Sequence, residues 1–291
     1  MHSKLETGER WALLDCDDVL LDYIGGFTAF VMRVKQLKSI TTPDSWDMTG
    51  WLGMNGEEIV SLINQFNDTD IGFERLKPIQ GAIDGVRMLK TFGFRTAIIT
   101  SSSVSPSSVE RRARNVTAVF GDLIDRLHIV PLGQSKQDVL LSYKNAIWVE
   151  DNVKNAAIGA ATGHRAFLLR ANHNRNVHGL TIPDPGVVHV SGWEEIVAHA
   201  VGLIPDVRSG LGVRESSLRA LEKASEAAGH KAWTPRNPES EAMKRLVELG
   251  VVLLTRHPNR RPTAELTSIG FSVLGLDPEP EPETDEPDFE I

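Results

Sequence analysis

The chain has a single cysteine in 291 residues, Cys16, which excludes an intramolecular disulfide and fits a reducing compartment. No uninterrupted apolar run approaches the roughly 20 residues that span a bilayer. The opening, MHSKLETGERW, lacks the apolar core of a signal peptide. A soluble cytoplasmic protein with no membrane partner is expected. Basic residues are absent from the last stretch, Asp277 to Ile291 (DPEPEPETDEPDFEI), which carries eight acidic ones. That tail alone equals the formal net charge of −8, and without it 31 Lys and Arg face 31 Asp and Glu. Alternating Pro and Glu can neither bury a core nor hold a helix, so a disordered tail is expected over 277–291, serving either solubility or intramolecular DNA mimicry. The length allows one large core and a smaller unit.

What is present is most informative in WALLDCDDVLLDY, Trp11 to Tyr23. Four apolar residues read as a buried strand that ends where the acids begin. Residues two apart in an extended chain share a side, so Asp15 and Asp17 face one way and Cys16 the other, into the core. Two carboxylates at a strand's end make a hard-oxygen site of the kind Mg2+ takes, unless they are merely solvated or capping. A thiol nucleophile at Cys16 has no recognisable histidine partner, and a buried structural thiol is the better reading.

Two further apolar runs end in polar chemistry. Thr96 to Ile99 leads into Thr100 and Ser101, and Ala146 to Val149 leads into Glu150 and Asp151. Between them, LGQSKQD places Lys136 in a polar loop before a helix. Several parallel strands that bring their C-terminal ends to one crevice would assemble these groups.

In that order, DxDxV at Asp15 to Val19, the strand ending at Thr100, Lys136, and the strand ending at Glu150 and Asp151 resemble the four motifs of the haloacid dehalogenase superfamily. Within it, DCDDVLLDYIGGFTAF, FERLKPIQGAIDGVRMLK and RANHN resemble the 5'(3')-deoxyribonucleotidase branch, over about residues 9 to 200. The resemblance implies an α/β, Rossmann-like core with a parallel sheet and a small helical cap. It implies Asp15 as the nucleophile that forms an aspartyl-phosphate and Asp17 as general acid, then general base. Thr100 and Lys136 would hold the phosphoryl oxygens. Asp15, Asp151 and the carbonyl of Asp17 would hold Mg2+, with Glu150 as support or alternative ligand. Many relatives have Gly where this chain has Asp18, which adds a negative charge near the site. Asn174 falls where the resemblance expects an asparagine, although a structural turn accounts for it equally.

Ile24 to Gln80 is expected to form the cap, with helices in GGFTAFVMRVKQL and GEEIVSLINQF joined by TTPDSWDMTGWLG. Tyr23, Phe27, Trp46 and Trp51 are candidates to stack on a nucleobase, a contact worth roughly 1–3 kcal/mol per base; Phe27 is equally suited to the cap's core. Ser101 would also touch substrate. On the helix from Pro106 to Asn115, Arg111, Arg112 and Arg114 read as a solvated face rather than as phosphate ligands.

The core, 1–205, should close near Pro205, after WEEIVAHAVGLI. Val207 to Leu276 holds 11 Lys and Arg against seven Asp and Glu. Two helices, the strand VVLLT, a turn at HPNRRP and a closing segment weakly resemble a winged-helix module, 207–276, of α+β type. Lys244, Arg256, Arg260 and Arg261 would be its nucleic-acid contacts, and dimerisation is the other common use of such modules. The expectation is a Mg2+-dependent phosphomonoester hydrolase acting on (deoxy)nucleoside monophosphates. Its alternatives are a phosphatase of another phosphomonoester or of a nucleic-acid end, and a DNA-binding regulator that keeps the fold as a ligand sensor. A homodimer is compatible with either.

Overall fold

The near-continuous apolar runs become strands buried on both faces, as parallel sheets require. The computed structural model describes residues 8–45, 47–175, 186–204 and 207–276, so Trp46 and the acidic tail, both given roles above, lie outside the described residues. The chain forms two compact units, Met1–Pro205 and Asp206–Ile291. In the first, β1 (Arg10–Leu14), β2 (Phe94–Ser102), β3 (Arg126–Pro131), β4 (Ile147–Glu150), β5 (Arg165–Leu169) and β6 (Val187–Val190) make one sheet. All five pairings are parallel, in the order β3-β2-β1-β4-β5-β6. This is the doubly wound Rossmann-type order. The chain leaves β1 toward β2 and β3 and later returns to place β4 on β1's other side. The crevice between the ends of β1 and β4 is therefore the topological switch point, where ligands bind in open α/β sheets.

Between β1 and β2, over the stretch expected to form the cap, the chain builds a helical insertion from α1 (Tyr23–Val34), α2 (Met48–Leu52) and α3 (Gly56–Thr69). Side chains accept from otherwise orphaned helix N–H groups: Asp22 Oδ1 from Gly25 at 2.8 Å, and Asn55 Oδ1 from Glu58 at 2.9 Å. The cap's core is aromatic. Phe27, Phe30 and Phe66 are buried there, with ring centroids 5.3–6.1 Å apart.

The crossovers contain α4 (Ala82–Thr91), α5 (Pro106–Phe120), α6 (Gln137–Leu141), α7 (Val153–Ala161) and α8 (Asn172–Arg175), and α9 (Trp193–Gly202) follows β6. Two glycines allow helices to approach closely. A Cβ at Gly159 of α7 would lie 2.1 Å from Cδ1 of the buried Trp148 on β4. A Cβ at Gly85 of α4 would lie 2.3 Å from Trp193. Trp193 in turn donates Nε1–H to the Val19 carbonyl at 3.0 Å, tying the loop after β1 to the helix layer. No helix among the described residues is long and apolar enough to cross a membrane.

The second unit contains α10 (Val207–Gly210), α11 (Glu215–Ala227), α12 (Glu241–Glu248), β7 (Val252–His257), β8 (Arg260–Leu266) and α13 (Ser268–Leu274). HPNRRP is not all turn: His257 pairs with Arg260, so Pro258 and Asn259 alone make the hairpin connection and Arg260 and Arg261 belong to β8. Cross-strand pairing takes in Arg260 where the sequence showed only Pro and charge. Trp233 adds a bridge to Ala264 on β8. Of the basic side chains assigned to nucleic acid, Arg256 is paired with Glu239 at 2.6 Å and Lys244 with Glu241 at 3.0 Å.

Candidate active site

β1 stops at Leu14 because the next residue turns its carboxylate into the crevice. Asp15 Oδ1 accepts from its neighbour's backbone, Cys16 N–H, at 2.7 Å, and pairs with Lys136 Nζ at 2.8 Å. Lys136, just before α6, also reaches Glu150 Oε2 at 2.9 Å. Glu150 ends β4, and its Oε1 accepts from the backbone of Asp151 at 3.1 Å and of Asn152 at 3.0 Å. Asp15, Glu150 and Asp151 each bring an oxygen within 4.8 Å of the others. All three are buried, as is Lys136.

So much negative charge in so little water has a cost. Burial, then the Glu150 charge, push the Asp15 carboxyl up to about 7 against the pull of Lys136. Burial also raises Glu150. Burial, then Asp15 and Asp18, hold Asp151 well above the usual carboxylate range. For Lys136, burial works against the charge but Asp15 and Glu150 outweigh it, so it stays cationic. Three buried carboxyl groups, two of them paired with one ammonium, are more acids than the local positive charge can hold ionised. A hard divalent cation fits that donor set, with Asp15 and Asp151 as ligands. Glu150 is engaged on both oxygens and suits the role of Lys136's anchor better.

Asp17 takes a different partner. Arg112 Nη2 meets its two oxygens at 2.6 and 2.8 Å, while Nη1 donates to Cys16 Sγ at 3.3 Å. The guanidinium lies 4.4 Å from the centroid of Phe73 and is fully buried. This corrects the reading of Arg111, Arg112 and Arg114 as one solvated face: α5 buries Ser108, Arg112, Asn115, Val116 and Phe120 along one side. The apolar end of that stripe, stepped back four residues at a time from Phe120, passes through Arg112 and Ser108, a signal available in the sequence. Burial raises Asp17 above the usual range, with Arg112 opposing it.

Asp18 occupies the left-handed region at φ 56, where glycine is at ease and an L residue is strained. Its Oδ1 accepts from Ile24 N–H at 3.1 Å, linking the loop to the start of α1, while buried Oδ2 has no partner. Cys16 is fully buried and burial pushes its thiol up to about 12, so a thiolate nucleophile is ruled out at neutral pH.

Asp15, Asp17, Lys136, Glu150 and Asp151 line one cavity of about 220 Å³ together with Ser101, and Tyr23, Met48, Ile63 and Asn67 of the cap. Thr100 is buried one residue before Ser101, and its hydroxyl has no partner. Phe27 does not line this space: it is fully buried and stacks on Tyr23 at 5.9 Å, because a small cap needs its large apolar rings inside. Base contact at Phe27 is thereby corrected to cap core. Tyr23 does line the cavity, its hydroxyl held by Asn67 Oδ1 at 3.1 Å. Trp51 instead donates its indole N–H to the Thr41 carbonyl.

Sequence reasoning missed His173. Its Nε2 lies 2.7 Å from Asp151 Oδ2, and burial lowers its pKa to about 4, so the ring is neutral. Asn174 beside it sends Nδ2 to the carbonyls of Asp151 and Leu169, each at 2.8 Å.

No family model and no curated protein matches the chain. Solved structures do. A haloacid dehalogenase-like hydrolase from Streptococcus pneumoniae is 14% identical with a TM-score of 0.49, over 67% of this chain and 99% of that one. A HAD family hydrolase from Deinococcus radiodurans R1, with bound phosphate and sodium, is 16% identical with a TM-score of 0.48, over 68% and 99%. A HAD-superfamily hydrolase of subfamily IA from Geobacter sulfurreducens PCA is 15% identical with a TM-score of 0.44, over 65% and 98%. The structural neighbours of this chain are thus hydrolases of the haloacid dehalogenase superfamily.

Proposed function

We propose that this protein is a Mg2+-dependent phosphomonoester hydrolase that works through an aspartyl-phosphate on Asp15. The observation that carries the reading is the buried Asp15–Glu150–Asp151 cluster at the switch point, with Lys136 as its one ammonium. In the first half-reaction an Asp15 oxygen attacks phosphorus and the ester oxygen departs. Asp17, on the same cavity wall, would enter in its acid form with one oxygen freed from the two contacts with Arg112, give the departing ester oxygen a proton and then take one from the water that cleaves the acyl phosphate. Lys136 supplies positive charge to the transferring phosphoryl group, Ser101 on the cavity wall is a donor for its oxygens, and the orphan Thr100 hydroxyl, buried one residue earlier, would be a second. A hydroxyl buried without a partner costs about 1–3 kcal/mol, which a phosphoryl oxygen would recover. Bound by Asp15, Asp151 and the Asp17 carbonyl, Mg2+ would neutralise charge on the phosphoryl oxygens. Positioning and charge neutralisation carry most of such a reaction.

The space beside Asp15 supports two readings of the substrate. A (deoxy)nucleoside monophosphate is the reading the resemblance favours, with Tyr23 as its aromatic contact. The cavity of about 220 Å³ is small beside the ~300–1,000 Å³ of ordinary small-molecule sites, and Tyr23 already stacks on Phe27. Those two facts favour a second reading, a compact phosphomonoester. Phosphate release from nucleoside monophosphates and from small sugar and acid phosphates, with Mg2+ and with chelator, decides between them. Hydrolysis that survives chelation, or phosphate release by Asp15→Asn within about tenfold of the unaltered protein, overturns the mechanism.

A further inference from the structure

Five carboxylates line the cavity, Asp15, Asp17, Asp18, Glu150 and Asp151, and their counter-charges are distributed unevenly. Lys136 pairs with Asp15 and Glu150, and Arg112 with Asp17. Asp18 and Asp151 pair with no Lys or Arg among the described residues; a side-chain partner of Asp151 is the His173 imidazole, and the Asp151 backbone carbonyl accepts from Asn174. We propose that His173 and Asn174, on the turn after β5, are positioning residues that hold Asp151 in the orientation from which it takes a divalent cation. This rests on the metal-binding part of the function proposed above.

The geometry acts in two steps. β5 is β4's neighbour in the sheet, with Leu168 opposite Glu150, so the turn after β5 lies beside the residue that follows β4. Asn174 fixes that turn: Nδ2 reaches the Leu169 carbonyl and Oδ1 accepts from Ala171 N–H at 2.9 Å, while the same Nδ2 grips the Asp151 carbonyl. His173 is thereby set against the Asp151 side chain. Toward the ionised carboxylate of a metal-bound state the ring can only donate, so Nε2–H occupies Oδ2 and turns the remaining lone pairs, those of Oδ1 foremost, toward the cluster.

The choice of residue type matters. A Lys or Arg in this place would orient Asp151 equally well but would neutralise it and compete with the cation. An imidazole Nε2–H orients the ligand through one hydrogen bond without a permanent cationic charge. Outer-shell donors of this kind affect metal affinity strongly, typically by about 10–100-fold.

The test compares His173→Gln with His173→Met in the full-length chain. Both side chains are unbranched and similar in length, and only Gln donates. Mn2+ binding to the metal-free proteins, followed through the paramagnetic resonance signal of the free ion, is the readout, with metal-free thermal unfolding alongside. The expected result is a Kd for Mn2+ weakened about 10–100-fold in His173→Met and restored to within about threefold of the unaltered protein in His173→Gln. His173→Phe serves in place of the Met variant if that one does not fold. A Met variant that binds Mn2+ as tightly as the unaltered protein overturns the proposal, and so does equal weakening in Met and Gln, which marks a packing role. Failure of the unaltered protein to bind Mn2+ overturns this proposal together with the metal-dependent reading. Normal Mn2+ binding, the Met and Gln pattern, and no phosphate release from any phosphomonoester would leave the positioning role standing and remove the hydrolase reading alone.

Discussion

Replacing Asp15 by Asn should stabilise the metal-free protein, by an amount that grows with pH. Asp15 is only 7% exposed, and its carboxyl is pushed up to about 7 in the folded chain. In the unfolded chain it lies near 3.9, a difference of about three units, or roughly 4 kcal/mol. The folded state therefore holds the Asp15 proton more tightly than the unfolded state does. As pH rises from about 4 to about 7 the unfolded chain sheds that proton first, so stability falls through this window, and the full penalty persists above it. Asn carries no such penalty. It does lose the ion pair with Lys136, but Lys136 keeps Glu150 at 2.9 Å, so a net gain on the order of 2–3 kcal/mol remains above pH 7. For a unit of this size that is a rise in melting temperature of about 4–12 °C. Thermal unfolding of both proteins in chelator, across a pH series from about 5 to 8.5, measures it. The gap should widen with pH, then narrow when Mg2+ is added, since an ion near 100 times its Kd stabilises the Asp15 protein by about 2.7 kcal/mol. Parallel curves for the two proteins would show that Asp15 is not held protonated by its surroundings, and the electrostatic account of the cluster would fall.

Three other outcomes are expected. Arg112→Leu and Asp17→Asn should each destabilise by about 3 kcal/mol, the cost of stranding a buried charge, and the double variant by much less than their sum; additive urea midpoints would mean the pair is not coupled. Asp18→Gly should stabilise by about 1 kcal/mol in urea, because relief of the left-handed backbone and of the unpartnered Oδ2 outweighs the lost bond to Ile24, and a lower midpoint would show that the bond to α1 dominates. Gly159→Ala should cost about 1–3 kcal/mol and disturb the near-ultraviolet dichroism of Trp148, whereas an unchanged melt and spectrum would mean that α7 can shift away from β4 freely.

Much of the candidate site is legible in local pattern. A strand leaves a short apolar run, and a carboxylate at its end interrupts that run, so Asp15, Glu150 and Asp151 mark strand ends without knowledge of the fold, whereas the strand expected to end at Thr100 runs on to Ser102 because β3 continues to pair with it. Lys136 could be placed near them because the strands are parallel and their C-terminal ends must lie on one side. The helices of the cap announce themselves by period, and α1 and α3 fall within a few residues of GGFTAFVMRVKQL and GEEIVSLINQF.

The rest depends on contacts between residues far apart in the chain. Arg112 is separated from Asp17 by 95 residues, and three arginines within four positions of α5 look alike until packing against Phe73 and Asp17 selects one. The two aromatics Tyr23 and Phe27 lie one helical turn apart, and only the arrival of Phe66 and Phe73 decides that one lines the cavity and the other fills the cap. His173 is an ordinary residue in a short turn until the sheet register sets that turn beside Asp151. Sequence by itself determined where strands end and which chemistry stands at each end, because backbone periodicity and the cost of burying charge act locally. Tertiary structure decided which of the acids is paired with a basic side chain, by which one, and which is left without one, because counter-charge and desolvation are shared among groups that meet only when the sheet closes.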